Sequence, residues 1–155
     1  MLANSRSKLN NLEEWRNVVG YEGDYEVSSH GRVRTHKGKT TYTKRHGVRK
    51  WKQRVLKEKN KNAIYARVDL WSEGKPKTIL VHRLVAKAFL DNPEEYEYVN
   101  HKDGNPRNNN VDNLEWCSFK DNVNHAFDND MNSSAKRVVV VHRETGEKNR
   151  VSFYE

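Results

Sequence analysis

The spacing of hydrophobic and polar positions changes several times along the chain, and each change predicts an element. Residues 1–11 are polar and aperiodic and are expected to be loose. LEEWRNVVGYEGDYEVSSHGRVRTH alternates between apolar and polar residues around GYEGDY and SSHG, which predicts short strands joined by turns. After a basic connector, AIYARVDLWSEGKPKTILVHR predicts a hairpin with strands over Ile64–Leu70 and Thr78–Val81 and a turn at SEGKPK. In VHRLVAKAFLDNPEEY the period lengthens. Leu84, Val85, Ala88 and Phe89 fall at helical spacing, and Asp91, Asn92 and Pro93 end the helix. His82, beside that apolar face, reads as a packing or capping residue. YVNH then predicts a strand, the Asn-rich stretch a long loop, LEWCS a second strand and FKDNVNHAFDND a helix. After a Ser/Lys linker, RVVVVHRETGEKNRVSF predicts a hairpin around Glu144, Thr145 and Gly146, the front part of a larger module.

These elements predict an α+β chain of small antiparallel modules with a C-terminal hairpin. The expected divisions are a flexible 1–11, a β module with a basic stretch over 12–60, a core over 61–130, and a linker with hairpin over 131–155. Composition agrees with small modules: 34% hydrophobic against 32% charged residues leaves little for a core, so an elongated body is expected. No run approaches the ~18 apolar residues of a membrane span, and the N-terminus lacks the apolar core of a secretory signal. A cytoplasmic location without membrane partners is therefore expected. Cys117 is the only cysteine, which excludes internal disulfides and multi-cysteine zinc sites and leaves His, Asp, Glu and Asn as metal ligands.

Charge adds a partner. The net charge is +8, and Gly31 to Lys59 holds twelve Lys or Arg against one acid, Glu58. Tyr42 and Trp51 interrupt the charges as they do on nucleic-acid contact surfaces. Cations clustered this way gain affinity for DNA by releasing counterions from phosphates. The predicted DNA-binding set is Arg32, Arg34, Lys44, Arg45, Arg49, Lys50, Lys52 and Arg54, with Arg67 and Arg107 outside the cluster.

The candidate chemistry lies between Tyr98 and Phe127. His101 ends a strand, Asn113 lies twelve residues on, and Asn122 nine further along a helix. These can converge if the helix packs across the two strands. A lone imidazole accepts a proton near neutral pH, and an amide can hold it, or the peptide that orients it, in one arrangement. Oxygen ligands suit a hard ion such as Mg²⁺. Asn100 and Asn113 are two of six asparagines in this stretch; the four between them, Asn105, Asn108, Asn109 and Asn110, read as loop builders. Leu114 and Trp116 are expected beneath the site, with Cys117 a small packed residue. His125 shares a helix face with Asn122 and is a further candidate ligand or phosphate contact.

Three segments in order, VHRLVAKAF, VNHKDGNPRNNNVDNLEW and KDNV, resemble the HNH endonucleases of the phage and group I intron-encoded type, which have a ββα-metal core. EEWRNVVGYEGDYEVSSHGRVRT is similar to the modular DNA-binding motif that precedes such nucleases, and KRVVVVHRETGEKNRVSF resembles the opening of a second module. The resemblance implies that His101 is the general base, Asn113 the central Asn that orients it, and Asn122 the helix metal ligand. It implies a metal ligand at Asn100 too, where relatives often have Asp, so this is an H-N-N variant with an amide in place of a carboxylate. Asp103 and Asp121 are nearby carboxylates that read as a turn residue and an exposed helix residue. One divalent ion, Mg²⁺ with Mn²⁺ as substitute, is the implied cofactor. Double-stranded DNA is the implied substrate, with one strand nicked per site by a monomer to leave 5′-phosphate and 3′-hydroxyl ends; a double-strand break would require a dimer or a second encounter. A homing role follows from the same resemblance. The alternative is a non-catalytic DNA-binding protein that retains the scaffold, which Asn100 favours; an RNA-binding reading rests on charge and aromatics alone.

Overall fold

The computed structural model describes residues 12–128, 136–141 and 148–153. Three short strands open it: β1 (Trp15–Asn17), β2 (Tyr25–Ser28) and β3 (Val33–Thr35), antiparallel in that order. Alternation gives the sheet two faces. Tyr25, Val27, Val33 and Thr35 are buried on one, while Glu26 and Arg34 form an ion pair at 2.7 Å from the other. The Tyr25 hydroxyl accepts the amide proton of Trp71 at 3.0 Å, tying the sheet to the next hairpin.

The basic connector is itself a hairpin, β4 (Thr40–Thr43) with β5 (Gly47–Lys50). Its threonines, Tyr42 and Val48 favour extended backbone. Both strands are largely exposed, so no buried face marks them in the sequence. The chain then returns alongside β3, where Thr35 donates to the Arg54 carbonyl and Leu56 to that of Val33.

The second hairpin, β6 (Arg67–Ser72) with β7 (Lys75–Leu80), has a tighter turn than the expected six residues. Ser72 pairs with Lys75, so only Glu73 and Gly74 lie between the strands. Both have positive φ, 51° and 76°, the backbone of a type I′ turn that matches the strand twist. Pro76 pairs with Trp71 in a two-stranded sheet, where every strand is an edge and a missing donor is tolerated.

Helix α1 (Val81–Phe89) follows directly, with Val81, Leu84 and Val85 on its buried face. These pack with Val18, Tyr25, Val27, Val33, Val68, Leu70 and Leu114 in one hydrophobic core. The expected 12–60 and 61–130 segments therefore share their interior. Arg16 reinforces the join, donating to the Ala88 carbonyl at 3.1 Å and stacking over Phe89.

Strands β8 (Tyr98–His101) and β9 (Leu114–Cys117) pair antiparallel, followed by helix α2 (Phe119–Asp128). Ser118 caps α2, accepting from the Asp121 amide at 3.2 Å while its hydroxyl donates to the Asp121 carboxylate at 2.6 Å. The tail strands β10 (Lys136–Val141) and β11 (Lys148–Phe153) pair as expected; their turn lies outside the described residues, as do residues 1–11. The fold is α+β, built of small antiparallel sheets with few helices. No helix among the described residues is long and apolar enough to cross a membrane.

One contact between the N-terminal sheet and the Asn-rich loop requires a glycine. Gly31 has φ +80°, and a Cβ there would stand 2.6 Å from Cβ of Asn109 and 3.0 Å from its carbonyl oxygen. Val111 donates to the Ser29 carbonyl beside it at 2.8 Å. Gly31→Ala is expected to lower stability by at least about 1–2 kcal/mol from backbone strain alone, as read by urea unfolding. Gly38→Ala, whose Cβ would meet only His36 at 3.4 Å, serves as the control. Equal midpoints for the two variants would show that the close approach does not form in solution.

Candidate active-site cleft

Asn100 and His101 sit at the end of β8, opposite Glu115 and Leu114 of β9. Asn122 and His125, one turn apart on α2, face them. All four line one open cleft of about 620 Å³, together with Tyr65, His82, Arg83 and Tyr98. The sequence thus brings His101 and Asn122 to a common space, as the strand–strand–helix order predicts. Leu114, fully buried, supports β9 beneath His101, and the half-buried Trp116 donates to the Leu90 carbonyl at 3.4 Å.

His101 is buried, and its Nε2 lies 3.2 Å from Oδ1 of Asn109. Its ring meets His82 edge to face at 5.1 Å between centroids and Tyr65 at 6.2 Å. His82 is only 7% exposed, and its Nδ1 has no hydrogen-bond partner among the described residues. Burial, then the nearby charges of His101 and Arg83, pull its pKa down to about 4. His82 is therefore neutral at pH 7 and adds no charge to the cleft.

Asn113 does not reach the imidazole. Its amide nitrogen donates to Asp103 at 2.8 Å and to the Asn108 carbonyl at 2.9 Å, and its oxygen accepts from the Asp103 amide. Its backbone carbonyl accepts from Lys102, the residue after His101, at 2.9 Å. Asn113 thus ties down the loop neck that follows His101 and makes no hydrogen bond to the ring. The expected loop builders divide. Asn105, Asn108 and Asn110 accept from loop amides two residues on, whereas Asn109 turns inward to His101. Within an Asn-Asn-Asn run nothing in composition or spacing singles out the middle residue.

Asn100 is buried and donates from Nδ2 to Glu115 at 2.9 Å, which leaves its Oδ1 as an acceptor. Among the described residues no carboxylate lines the cleft. Asp103 belongs to the loop, where donation from Asn108 and from the Asn105 amide holds its carboxyl below the usual range. Asp121 accepts from the hydroxyl of the capping Ser118 at the start of its own helix. Among the described residues no group of three or more His, Cys, Asp or Glu could by itself hold a metal ion. The donors facing the cleft are amides and imidazole. They suit a hydrated hard ion that draws further oxygens from its substrate, not a closed protein cage. Arg83, which no pattern in the sequence singles out, is the one Lys or Arg among the described residues that line the cleft.

The ten predicted DNA contacts fall into two groups. Arg32 is paired with Glu13, Arg34 with Glu26, and Arg107 with Glu58 at 2.7 Å. Arg67 is half-buried, with Nε lacking a hydrogen-bond partner among the described residues. Lys44, Arg45, Arg49, Lys50, Lys52 and Arg54 are exposed on and just beyond the β4–β5 hairpin, with Arg49 over the Trp51 ring. Lys39, from the same basic run, is buried against Asp24 and the Tyr25 ring.

Residues 13–71 match the NUMOD4 motif, and residues 80–124 match the HNH endonuclease family. The chain is 42% identical over 111 residues to the DNA endonuclease I-HmuI of Bacillus phage SP01, covering 71% of this chain and 55% of that protein. It is 36% identical over 118 residues to an uncharacterized HNH endonuclease of Acanthamoeba polyphaga mimivirus, covering 76% of this chain and 31% of that protein. The chain thus spans from about a third to just over half the length of these curated relatives. The solved structure of the HNH homing endonuclease I-HmuI, described for its DNA binding and cleavage, superposes with a TM-score of 0.59 at 33% identity, over 89% of this chain and 77% of that one.

The buried neutral His82 makes stability depend on pH. Between its ordinary pKa of 6.5 and its folded value of about 4, the unfolded chain binds a proton that the folded chain does not. Stability is therefore complete above pH 6.5 and is lost as pH falls towards 4, by roughly 3 kcal/mol in all. In His82→Phe this acid loss should shrink, as read by urea unfolding at pH 7 and pH 4.5. An identical acid loss in the variant would show that His82 is not buried neutral.

Proposed function

This chain belongs to the HNH endonuclease family, and we propose that it hydrolyses phosphodiester bonds of double-stranded DNA with one divalent metal ion, cutting one strand per site. The convergence of His101, Asn100 and Asn122 on one cleft carries this reading. His101 acts as general base, taking the proton of a water that attacks phosphorus. The bond to the 3′-oxygen breaks and that oxygen takes a proton from solvent, leaving a 3′-hydroxyl and a 5′-phosphate. Asn113 acts at one remove by holding the loop neck that follows His101. Arg83 offers a guanidinium to the scissile phosphate, where charge develops in the transition state.

Asn100 and Asn122 would hold the ion, Mg²⁺ with Mn²⁺ as substitute, through their amide oxygens. A bound divalent ion supplies charge stabilisation to the phosphate undergoing attack. With no carboxylate among the described residues that line the cleft, DNA phosphate oxygens would have to supply the anionic ligands, and metal and DNA would then bind cooperatively. Lys44, Arg45, Arg49, Lys50, Lys52 and Arg54 hold the duplex, chiefly through its phosphates. Arg32 and Arg34 contribute after exchanging their carboxylate partners for DNA phosphates, while Arg67 and Arg107 add positive charge from where they sit. The enzyme acts as a monomer in the cytoplasm, and a homing role agrees with I-HmuI being a homing endonuclease. The second reading, a DNA-binding protein without catalysis, is favoured by the same missing carboxylate.

Plasmid nicking in Mg²⁺ or Mn²⁺ separates the two. The parent protein should nick supercoiled DNA, and His101→Ala should abolish nicking while DNA affinity stays within about twofold. Equal background nicking by both would establish the binding-only reading.

Asn100→Asp tests the metal assignment without turnover. It should tighten Mn²⁺ binding about tenfold, the lower end for changes at metal-site residues, as read by titration calorimetry. Unchanged affinity would remove Asn100 from the metal site.

A further inference from the structure

We infer that Asn109 is the positioning residue of His101: its side-chain oxygen fixes the imidazole tautomer, and the N-terminal sheet holds it in place. The inference deepens the proposed function and rests on His101 being the general base. Asn109 is 7% exposed, and its Oδ1 is the hydrogen-bond partner of His101 Nε2 at 3.2 Å. Its Nδ2 donates to the Arg107 carbonyl at 3.4 Å, so the oxygen is the end presented to the ring. A carbonyl oxygen only accepts, so Nε2 must carry the proton. The lone pair then sits on Nδ1, the nitrogen left to take a proton from water.

A hydrogen bond specifies a tautomer only if its acceptor cannot turn away. Asn109 is held on several sides. Gly31 approaches so closely that a methyl group there would overlap Cβ of Asn109. The Val111 amide is bound to Ser29 in the same sheet turn at 2.8 Å. On the other side Arg107 binds Glu58 at 2.7 Å and the Ala63 carbonyl at 3.2 Å. Asn108 and Asn110 cannot substitute, since their side chains bind Asp103 and the Asp112 amide. The motif-matched region 13–71 therefore reaches the reacting centre through packing: its turn at Gly31 backs the residue that orients the base.

The test uses the full chain with ¹⁵N-labelled histidine, at a pH well above the usual imidazole pKa of about 6.5. Long-range ¹H–¹⁵N spectra of the parent should show His101 protonated at Nε2. In Asn109→Ala the two nitrogens should move towards an averaged position, nicking should fall about 10- to 100-fold, and DNA affinity should stay within about twofold. Asn109→Asp keeps an oxygen acceptor and should restore both the Nε2–H tautomer and most of the rate. A parent His101 protonated at Nδ1 overturns the inference. So does an unchanged tautomer in Asn109→Ala. If Asn109→Ala loses its folded amide spectrum, the parent tautomer and the Asn109→Asp spectrum decide. If the tautomer follows residue 109 but the parent never nicks, the positioning role stands and the nuclease reading fails.

Discussion

Twelve residues leave β8 after His101 and return at Leu114, and their backbone polar groups must be satisfied before the two strands can pair. Asp103 is the anchor of that loop. Its carboxylate accepts from the Asn105 amide and from the side chains of Asn108 and Asn113, at 2.7–2.8 Å. Its own amide donates back to Asn113, closing the neck with a reciprocal pair. Neutral donors on an ionised acceptor are among the stronger hydrogen bonds in water-exposed positions. With the neck closed, β8 and β9 register as Asn100 with Glu115 and His101 with Leu114, and the place of Asn100 and His101 in the cleft follows from that register.

The cleft also depends on a core that it does not contain. Leu114 is the one residue of β9 in the main hydrophobic cluster, which it shares with α1 and with Val18, Val27 and Val33 of the N-terminal segment. Small modules bury little surface alone. Sharing one interior lets a three-stranded sheet, a two-stranded hairpin and a short helix stabilise one another. The same sharing brings Gly31 against the Asn-rich loop. Surface ion pairs such as Arg107–Glu58 add little energy by comparison, and their effect is mainly to choose where the loop lies.

Electrostatically the cleft is unusual for a site proposed to hold a divalent ion. Among the described residues its walls present two asparagines, three histidines and one arginine, and His82 is kept neutral by burial. The nearest carboxylate to Asn100, Glu115, accepts the Asn100 amide protons and so sets which end of that amide is free. Under the proposed function, much of the negative charge that attracts metal comes from DNA, which would make metal occupancy a consequence of docking.

Much of this was legible in the chain. Helical spacing marked Leu84 and Val85, and the strand–loop–strand–helix order marked the site. Those signals are local, carried by period and by neighbours along the backbone. That Val81 opens the helix instead of ending the strand, and that Ser118 caps the next helix, emerged only from the fold. The β4–β5 hairpin was hidden because a ribbon exposed on both faces needs no apolar alternation. The six-residue turn was too long because Lys75 and Pro76 read as turn residues until pairing with Ser72 and Trp71 made them strand. Tertiary structure alone decided which asparagine meets His101. Asn108, Asn109 and Asn110 have identical side chains, and only the direction of the backbone, fixed by Gly31 and the turn beside it, points the middle one inward.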